Sequence, residues 1–405
     1  MSFSSQPNLL RIKQTVYYYL AMLTLGLTTG AIGPALPHLA EQTHSPIKDI
    51  SYFFVSLALG YMLGSLASGR LIDRIKGHPV IIAGLVGMAV TIALVPLTPD
   101  LWLLMILAFM VGLSQSFVDV GGNLMIVWVY GQDVGPFING LHLSFGIGTL
   151  ISPLVIAASL ELDGSITWGF IGLAALSLPV AIGLLKLPNP TSPVNAQTVS
   201  EDQASKSRLI PLVIFIMLFY FVYIGFEGGF GAWLYTYALE TGLATQVTAA
   251  YLTSLFWAAF TFGRLLGIPA ARKFSPSTMI FTGLIISFIS ISLLSVFSTS
   301  PVMLWCGTFG YGLGVSTLFP TLLTLASQYM TLSGRTTSLF FASASGGGMF
   351  FPWLVGQLIG TYGLQIMMPA FLSIVLSGFF IAAGILILSH RLIQKPGNPE
   401  ISRHA

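Results

Sequence analysis

Apolar residues dominate this chain in long runs, and the polar interruptions between the runs are short. A helix that crosses the hydrocarbon core of a bilayer needs roughly 20 consecutive, mostly apolar residues. The pattern predicts an all-α membrane protein with twelve transmembrane helices, numbered here as spans 1 to 12. The predicted spans are 14–37, 48–70, 79–97, 101–129, 135–159, 166–187, 209–238, 247–270, 277–298, 301–329, 335–360 and 364–389.

The longest polar interruption is NPTSPVNAQTVSEDQASKSR, at residues 189–208. It is rich in Pro and Ser, carries charges and has no apolar periodicity, which is typical of a flexible linker. It leaves six predicted spans on each side. We therefore expect an N-terminal half at residues 1–188 and a C-terminal half at residues 209–405.

Composition supports a membrane protein and excludes several function classes. The chain is 55% hydrophobic and only 7% charged, with a mean hydropathy of +0.86, whereas soluble domains carry about 25% charged residues. The net charge of +3 is small and its basic residues are dispersed, which argues against nucleic-acid binding. The single cysteine, Cys306, excludes a disulfide within the chain. No nucleophile–base pair, metal-binding cluster or phosphate-binding loop is visible, so we expect neither an enzyme nor a cofactor.

Basic residues predict the orientation in the membrane, because cytoplasmic loops carry an excess of Lys and Arg. With a cytoplasmic N-terminus, fifteen of the 16 basic residues lie on the inner side and only Lys48 lies outside. The predicted inner residues are Arg11, Lys13, Arg70, Arg74, Lys76, Lys186, Lys206, Arg208, Arg264, Arg272, Lys273, Arg335, Arg391, Lys395 and Arg403. Both termini are therefore expected in the cytoplasm, with the protein in the plasma (inner) membrane.

The two halves repeat weakly. GYMLGSLASGRLIDR at the end of span 2 is similar to WAAFTFGRLLGIPAAR at the end of span 8. HLSFGIGTLISPL in span 5 is similar to FASASGGGMFFPWL in span 11, with Gly148 and Pro153 corresponding to Gly347 and Pro352. Repeated six-helix halves are typical of secondary transporters, whose substrate site lies near the midplane of the bilayer.

Span 4 carries a polar stripe in an apolar setting. Gln115, Asp119 and Asn123 recur every four residues, so they share one helix face. A carboxylate at this depth costs several kcal/mol and usually faces an internal cavity. No predicted span holds Lys or Arg away from its cytoplasmic end, so Asp119 is expected to be protonated, hydrogen-bonded or paired with a mobile cation. A neutral aspartate that ties two helices together is the structural alternative.

Span 7 contains the other embedded acid, Glu227, with Tyr223 one turn before it and Trp233 beyond it. An aromatic surface beside a carboxylate suits a sugar, which has an apolar ring face and hydroxyl donors. Packing is the alternative for both aromatic residues, and anchoring at the outer membrane interface is a further alternative for Trp233. The glycine-rich stretch GFEGGFG indicates either close helix packing or a break in the helix.

Further candidate substrate ligands lie in spans 5 and 8. Asn139 and His142 are three residues apart and share a face of span 5. A neutral histidine can both donate and accept a hydrogen bond, or relay a proton. Trp257 in span 8 is a weaker candidate. Each of these side chains could instead serve helix packing.

Several motifs resemble one transporter family. GRLIDRIKG, at residues 69–77, resembles the signature of the major facilitator superfamily between its second and third helices, although Lys76 and Gly77 stand in reverse order. The segments DVGGN, INGLHLSFGIG and YIGFEGGFGAWLYTY resemble the branch of fucose permeases and, more closely, sodium-dependent glucose transporter-like proteins. Fucose permease-like proteins have a second acid in span 1, whereas TLGLTTGAIGP here has only hydroxyls.

The resemblance also implies a gate. Asp73 and Arg74 follow span 2, and Asp73 is expected near Arg335 at the start of span 11, where the helix dipole favours an anion. Such a contact would hold the two halves together in one state of the transport cycle.

These observations predict a monomeric secondary transporter of a small polar solute, with a hexose as the expected substrate. The expected substrate ligands are Gln115, Asn123, Asn139, His142, Tyr223, Glu227, Trp233 and Trp257. Asp119 and Glu227 are the candidate coupling acids, and both sodium, bound at Asp119, and protons stay open as the coupling ion. The alternatives are a proton-driven exporter of amphipathic compounds, whose pocket should be mostly apolar, and an uncoupled sugar facilitator.

Overall fold

The computed structural model describes residues 8–190, 203–330 and 334–393. Within these ranges it describes the backbone alone at residues 8, 73, 132, 133, 135, 203–208, 334–338 and 390–393. All regular secondary structure in the described part of the chain is helical. The α-helices are Asn8–Gln42, Ile47–Ile50, Tyr52–Ile75, Gly77–Leu94, Leu101–Tyr130, Gly135–Asp163, Thr167–Leu185, Gln203–Ile224, Phe230–Glu240, Gln246–Ala270, Pro276–Val296, Pro301–Ser316, Leu318–Tyr329, Gly334–Tyr362 and Met367–Ile393.

Twelve segments of the described residues are helical, long and apolar enough to cross a membrane, which confirms the twelve predicted spans. They are Leu9–Gln42, Ile47–Ile72, Gly77–Leu97, Leu101–Tyr130, Pro136–Asp163, Thr167–Leu185, Leu209–Glu240, Gln246–Ala270, Pro276–Val296, Pro301–Tyr329, Leu339–Tyr362 and Leu364–Ser389, and they keep the numbers 1 to 12. The interruption in span 7 is a π-helix at Gly225–Gly229, within the glycine-rich stretch.

The chain forms two compact units. Unit 1 comprises Met1–Ala196, Gly231–Ala258 and Gly356–Leu364, and unit 2 comprises Gln197–Phe230, Ala259–Val355 and Gln365–Ala405. In unit 1, span 2 packs on span 4, span 1 on span 5, and span 3 on spans 4 and 6. In unit 2, span 9 packs on spans 10 and 12. The expected division at the linker into residues 1–188 and 209–405 stays a prediction.

Glycines allow spans 2 and 4 to pack with their backbones in contact. A Cβ atom at Gly60 would lie 1.9 Å from the carbonyl oxygen of Phe109, and one at Gly112 would lie 1.9 Å from that of Leu57. Small residues commonly permit this approach between membrane helices. The polar stripe of span 4 is therefore held directly against span 2.

The sequence repeat reappears in the packing inside each unit. In unit 1, Ser116 donates a hydrogen bond to the Leu113 carbonyl at 2.7 Å, and its hydroxyl would meet a Cβ atom at Gly64. In unit 2, Ser316 bonds the Leu313 carbonyl at 2.6 Å and packs on Gly263 in the same way. Spans 4 and 10, and spans 2 and 8, therefore correspond residue by residue at these contacts.

The same correspondence holds for spans 5 and 11. A Cβ atom at Gly148 would lie 2.3 Å from the Leu23 carbonyl oxygen in unit 1. A Cβ atom at Gly347 would lie 1.9 Å from the Phe221 carbonyl oxygen in unit 2. Each glycine lets its span touch the backbone of the first span of its half.

The turn after span 2 has an unusual backbone. Lys76 has φ 78° and ψ 165°, a region that essentially only glycine populates. A lysine at the neighbouring position 77 would be crowded, because a Cβ atom at Gly77 would lie 2.2 Å from the sulfur of Met125. The reversed Lys-Gly order of the signature therefore puts a lysine in a glycine conformation.

Candidate functional site

The carboxylate of Asp119 is held by neutral donors. The phenol of Tyr61, on span 2, donates a hydrogen bond to Oδ2. The Nδ2 atom of Asn123 donates to Oδ1 at 2.8 Å and to the backbone oxygen of Asp119 at 3.0 Å. Both carboxylate oxygens therefore accept hydrogen bonds.

The amide of Gln115 connects span 4 to span 1. This side chain is buried, with 4% exposure. Its Nε2 atom lies 3.3 Å from the hydroxyl of Thr28 and 3.4 Å from that of Thr29. Each hydroxyl donates its own proton to the Leu25 carbonyl at 2.9 Å, so both accept from the amide. The stripe thus contacts two helices: Gln115 faces span 1, and Asp119 faces span 2.

In the described part of the chain, the hydrogen bonds to the Asp119 carboxylate come from the neutral groups of Tyr61 and Asn123. The described residues contain no group of three or more His, Cys, Asp or Glu side chains that could hold a metal ion. The oxygens shown at Asp119 are those of its own carboxylate and of the Tyr61 phenol. A hard cation such as sodium requires oxygen ligands of this kind, and a proton requires the carboxylate alone.

Span 10, the counterpart of span 4 in the second half, lacks this polar stripe. Because Ser116 corresponds to Ser316, the positions of Gln115, Asp119 and Asn123 correspond to the apolar residues Val315, Phe319 and Leu323. Likewise Gly64 corresponds to Gly263, so the counterpart of Tyr61 is Phe260. The corresponding glycine–serine contact therefore forms in unit 2 without any of the four polar groups.

Glu227 lies in the π-helix of span 7, and its surroundings differ from those of Asp119. The hydroxyl of Tyr223 lies near both the Glu227 carboxylate and the Arg264 guanidinium, and the two charges attract each other. The guanidinium also lies 4.3 Å from the centre of the Phe260 ring, and its Nε is 3.5 Å from the Ser316 carbonyl. Glu227 therefore has a fixed basic neighbour.

This arrangement corrects one expectation. The sequence places Arg264 within span 8, at its cytoplasmic end, where it is expected to be out of reach of the embedded acids. The residue does lie in the helix Gln246–Ala270, but its charge acts on Glu227. The long side chain of an arginine allows its charge to lie at a different depth from its backbone.

The remaining expected ligands differ in their burial. Asn139 and His142 are exposed on span 5. Trp233 is fully buried and packs on Phe54, with ring centroids 5.9 Å apart. Trp257 packs beside Phe256, at 5.0 Å. Both tryptophans thus lie among apolar neighbours within unit 1.

The expected gate lies largely outside the described side chains. This applies to Asp73 and Arg335, for which only the backbone is described. Arg74 is exposed near the end of the helix Tyr52–Ile75. The gating role of these three residues stays a prediction.

Sequence reasoning missed Tyr61 and Arg264. Tyr61 follows Gly60, and a tyrosine beside a glycine in an apolar span was a readable signal of a hydroxyl near a helix contact. Alignment of the halves would have strengthened that signal, because Tyr61 corresponds to a phenylalanine. The role of Arg264 had no such signal, since a basic residue near a span end satisfies the loop-charge rule equally well.

Comparison with known proteins identifies the family. Residues 18–352 match the Major Facilitator Superfamily. Sodium-dependent glucose transporter 1 of Xenopus laevis is 31% identical over 363 residues, covering 83% of this chain and 74% of that protein. The human protein of the same name is 29% identical over 376 residues, covering 84% of this chain and 73% of its own length. A D-xylose-proton symporter structure shares the fold, with a TM-score of 0.75 at 14% identity, over 91% of this chain and 97% of that one. The chain belongs to the Major Facilitator Superfamily.

Proposed function

We propose that this chain is a secondary active transporter that carries a hexose together with a cation, by alternating access. The relatives that it matches are transporters and not enzymes, and two of them are named for sodium-dependent glucose transport. The proposed setting is the plasma (inner) membrane, with both termini in the cytoplasm. The proposed form is a monomer.

One observation carries the proposal: the polar stripe occupies only one of two equivalent helices. A stripe needed for folding should recur in span 10, yet Val315, Phe319 and Leu323 stand at its positions there. The corresponding glycine–serine contact in unit 2 forms without these four polar groups, so that contact does not require them. Their retention in span 4 favours a role in binding.

The roles of the side chains follow from their chemistry. Gln115 and Asn123 have amide groups that can both donate to and accept from sugar hydroxyls. Asp119 has a charge without a fixed basic partner, so a mobile cation is its natural counter-charge. We assign Asp119 to coupling and the amides to sugar binding, with Asn139, His142, Trp233 and Trp257 as secondary candidates. Tyr223 and Glu227 form a separate group, considered below.

Transport assays on purified protein in proteoliposomes test this function. We expect saturable uptake of a labelled hexose that a sodium or a proton gradient accelerates. Gln115→Ala and Asn123→Ala should each weaken binding by about 1–3 kcal/mol, the cost of an unpaired buried polar group. Gln246→Ala, at an exposed position, is the matched control. Uptake that is equal with and without either gradient would indicate a facilitator, and no hexose uptake would refute the proposal.

A further inference from the structure

Unit 2 contains a polar group that neither half of the repeat requires. Glu227 and Arg264 bring opposite charges to the hydroxyl of Tyr223, deep in the helix bundle. In the first half, Thr29 stands at the position of Glu227, and Ser65 stands at the position of Arg264. Both are small residues. The charges are thus an addition to the shared helix packing, as the stripe of span 4 is in unit 1.

The hydroxyl of Tyr223 is the observation that points to a ligand. The side chain is completely buried, and its hydroxyl lies near the Glu227 carboxylate and the Arg264 guanidinium without a well-aligned hydrogen bond to a described residue. Thr261 lies one turn before Arg264 on span 8, and its buried hydroxyl likewise has no partner in the described part of the chain. Buried hydroxyls are nearly always hydrogen-bonded in native proteins, through protein, water or ligand. A buried tyrosine hydroxyl without a well-aligned partner beside two opposite charges, with a second such hydroxyl one turn before Arg264, therefore indicates a site that a small polar molecule completes.

The neighbouring buried tyrosine of span 7 differs from Tyr223. Tyr220, one turn earlier on the same helix, is equally buried, and its hydroxyl donates to the Phe319 carbonyl at 3.1 Å. The region thus satisfies a tyrosine hydroxyl where no ligand is needed. The π-helix at Gly225–Gly229 re-aims the chain after Tyr223, a distortion that frequently marks functional sites.

We infer that Glu227, Tyr223, Thr261 and Arg264 form a binding site for the hydroxyl groups of an uncharged polyol. The carboxylate accepts a hydrogen bond from a ligand hydroxyl, and the guanidinium donates one to a neighbouring ligand oxygen. The two opposite charges together exclude ions: Glu227 repels an anionic sugar, and Arg264 repels a cationic one. Arg264 is thus a specificity-determining residue, and Glu227, which has a fixed counter-charge, is a substrate ligand and not the coupling acid. This inference rests on the proposed function for the identity of the polyol as the transported hexose.

Equilibrium binding to the full-length protein in detergent tests the inference independently of transport. Ligand-induced thermal stabilisation is titrated with glucose, its 2-, 3-, 4- and 6-deoxy derivatives, glucuronate and glucosamine. In the wild type we expect glucose and most deoxy derivatives to bind, with one derivative clearly weaker. Tyr223→Phe, Glu227→Gln and Arg264→Gln should each weaken glucose roughly 5- to 150-fold, the factor for an unpaired buried polar group.

Charge selectivity is the readout that a structural role would leave unchanged. Glu227→Gln should gain affinity for glucuronate, and Arg264→Gln should gain affinity for glucosamine, relative to glucose. Tyr220→Phe and the exposed Arg272→Gln are matched controls and should keep the wild-type order of ligands. If a charge variant does not fold, Tyr223→Phe remains as the test. In this variant, the deoxy derivative that binds the wild type more weakly than glucose should bind as well as glucose does.

The outcomes separate the two proposals. Wild-type binding of glucose without uptake into proteoliposomes refutes the transport function and leaves this site supported. An unchanged order of ligands in all folded variants overturns the site, even where hexose transport is observed. Absence of binding to any of these sugars by the wild type overturns both.

Discussion

At the scale of single residues, Asp119 differs from Glu227 in the side chains that surround its carboxylate. Its carboxylate accepts from a phenol and an amide and adjoins no basic side chain that the structure describes. Glu227 has Arg264 beside it. The sequence predicted that two acids are embedded in the spans and that Asp119 shares a face with Gln115 and Asn123. It could not distinguish their surroundings, because the partner of each acid comes from a different helix.

Tyr61→Phe tests the donor on span 2. The change should be tolerated by packing, because Phe260 fills the corresponding position in unit 2. Hydrogen bonds to charged groups contribute about 1.5–3 kcal/mol, so we expect gradient-driven hexose uptake to fall at least tenfold. Thermal stability of the purified variant should stay close to that of the wild type. Wild-type uptake at matched protein amounts would show that Asp119 does not depend on Tyr61.

Lys76→Gly addresses the reversed residue in the signature. The backbone at position 76 has φ 78° and ψ 165°, where a non-glycine residue costs on the order of 1–3 kcal/mol. Glycine also raises the entropy of the unfolded chain, by roughly 0.5–1 kcal/mol. We expect a net stabilisation of about 1 kcal/mol, visible as a higher melting temperature. Lys186→Gly is the control, because Lys186 ends its helix at φ −87° and should gain nothing. A lower melting temperature for Lys76→Gly would contradict the strain.

At the scale of elements, the hydrophobic pattern was sufficient to find every span. Bilayer thickness imposes a minimum length on each apolar run, and that rule is independent of tertiary contacts. Span ends were less predictable: span 1 was expected at 14–37 and extends over Leu9–Gln42. Polar residues at a membrane interface continue the helix without continuing the apolar run. The glycine-rich stretch of span 7 allowed a break or close packing, and the helix is interrupted there by a π-helix.

Gly60→Ala tests the contact between spans 2 and 4. The new Cβ atom would lie 1.9 Å from the Phe109 carbonyl oxygen, so the two backbones must separate. Overpacking of this kind costs typically 1–3 kcal/mol, and we expect less monodisperse protein and a lower melting temperature. Gly172→Ala on span 6 is the matched control, because a Cβ atom there meets nothing within 4 Å. Equal behaviour of the two variants in size-exclusion chromatography would exclude a tight contact.

At the scale of the whole molecule, the two halves repeat their packing and differ in their polar groups. Unit 1 has the stripe of span 4 with Tyr61, and unit 2 has Glu227 with Arg264. The sequence predicted the repeat from four short segments. It did not predict which polar groups break the repeat, because that requires residue correspondences that only the helix contacts supply.

Transplanting the second half's residues into the first separates folding from function. The variant combines Tyr61→Phe, Gln115→Val, Asp119→Phe and Asn123→Leu, so that each donor is removed together with its acceptor. Replacing both partners by apolar groups can be nearly neutral for stability. We expect a monodisperse protein with a melting temperature near that of the wild type and no detectable hexose uptake. Failure of this variant to fold would show that the stripe is structural.

The most direct measurement compares two kinds of hexose uptake by Asp119→Asn in proteoliposomes. Asparagine keeps the shape and an acceptor for Tyr61 but cannot hold a full charge or a proton. If Asp119 binds the coupling cation, the variant should lose accumulation against a hexose gradient and keep counterflow, because exchange of sugar need not release the cation. Glu227→Gln, measured in parallel, should impair both kinds of uptake. Accumulation that survives in Asp119→Asn and is lost in Glu227→Gln would contradict the assignment and give the coupling role to Glu227.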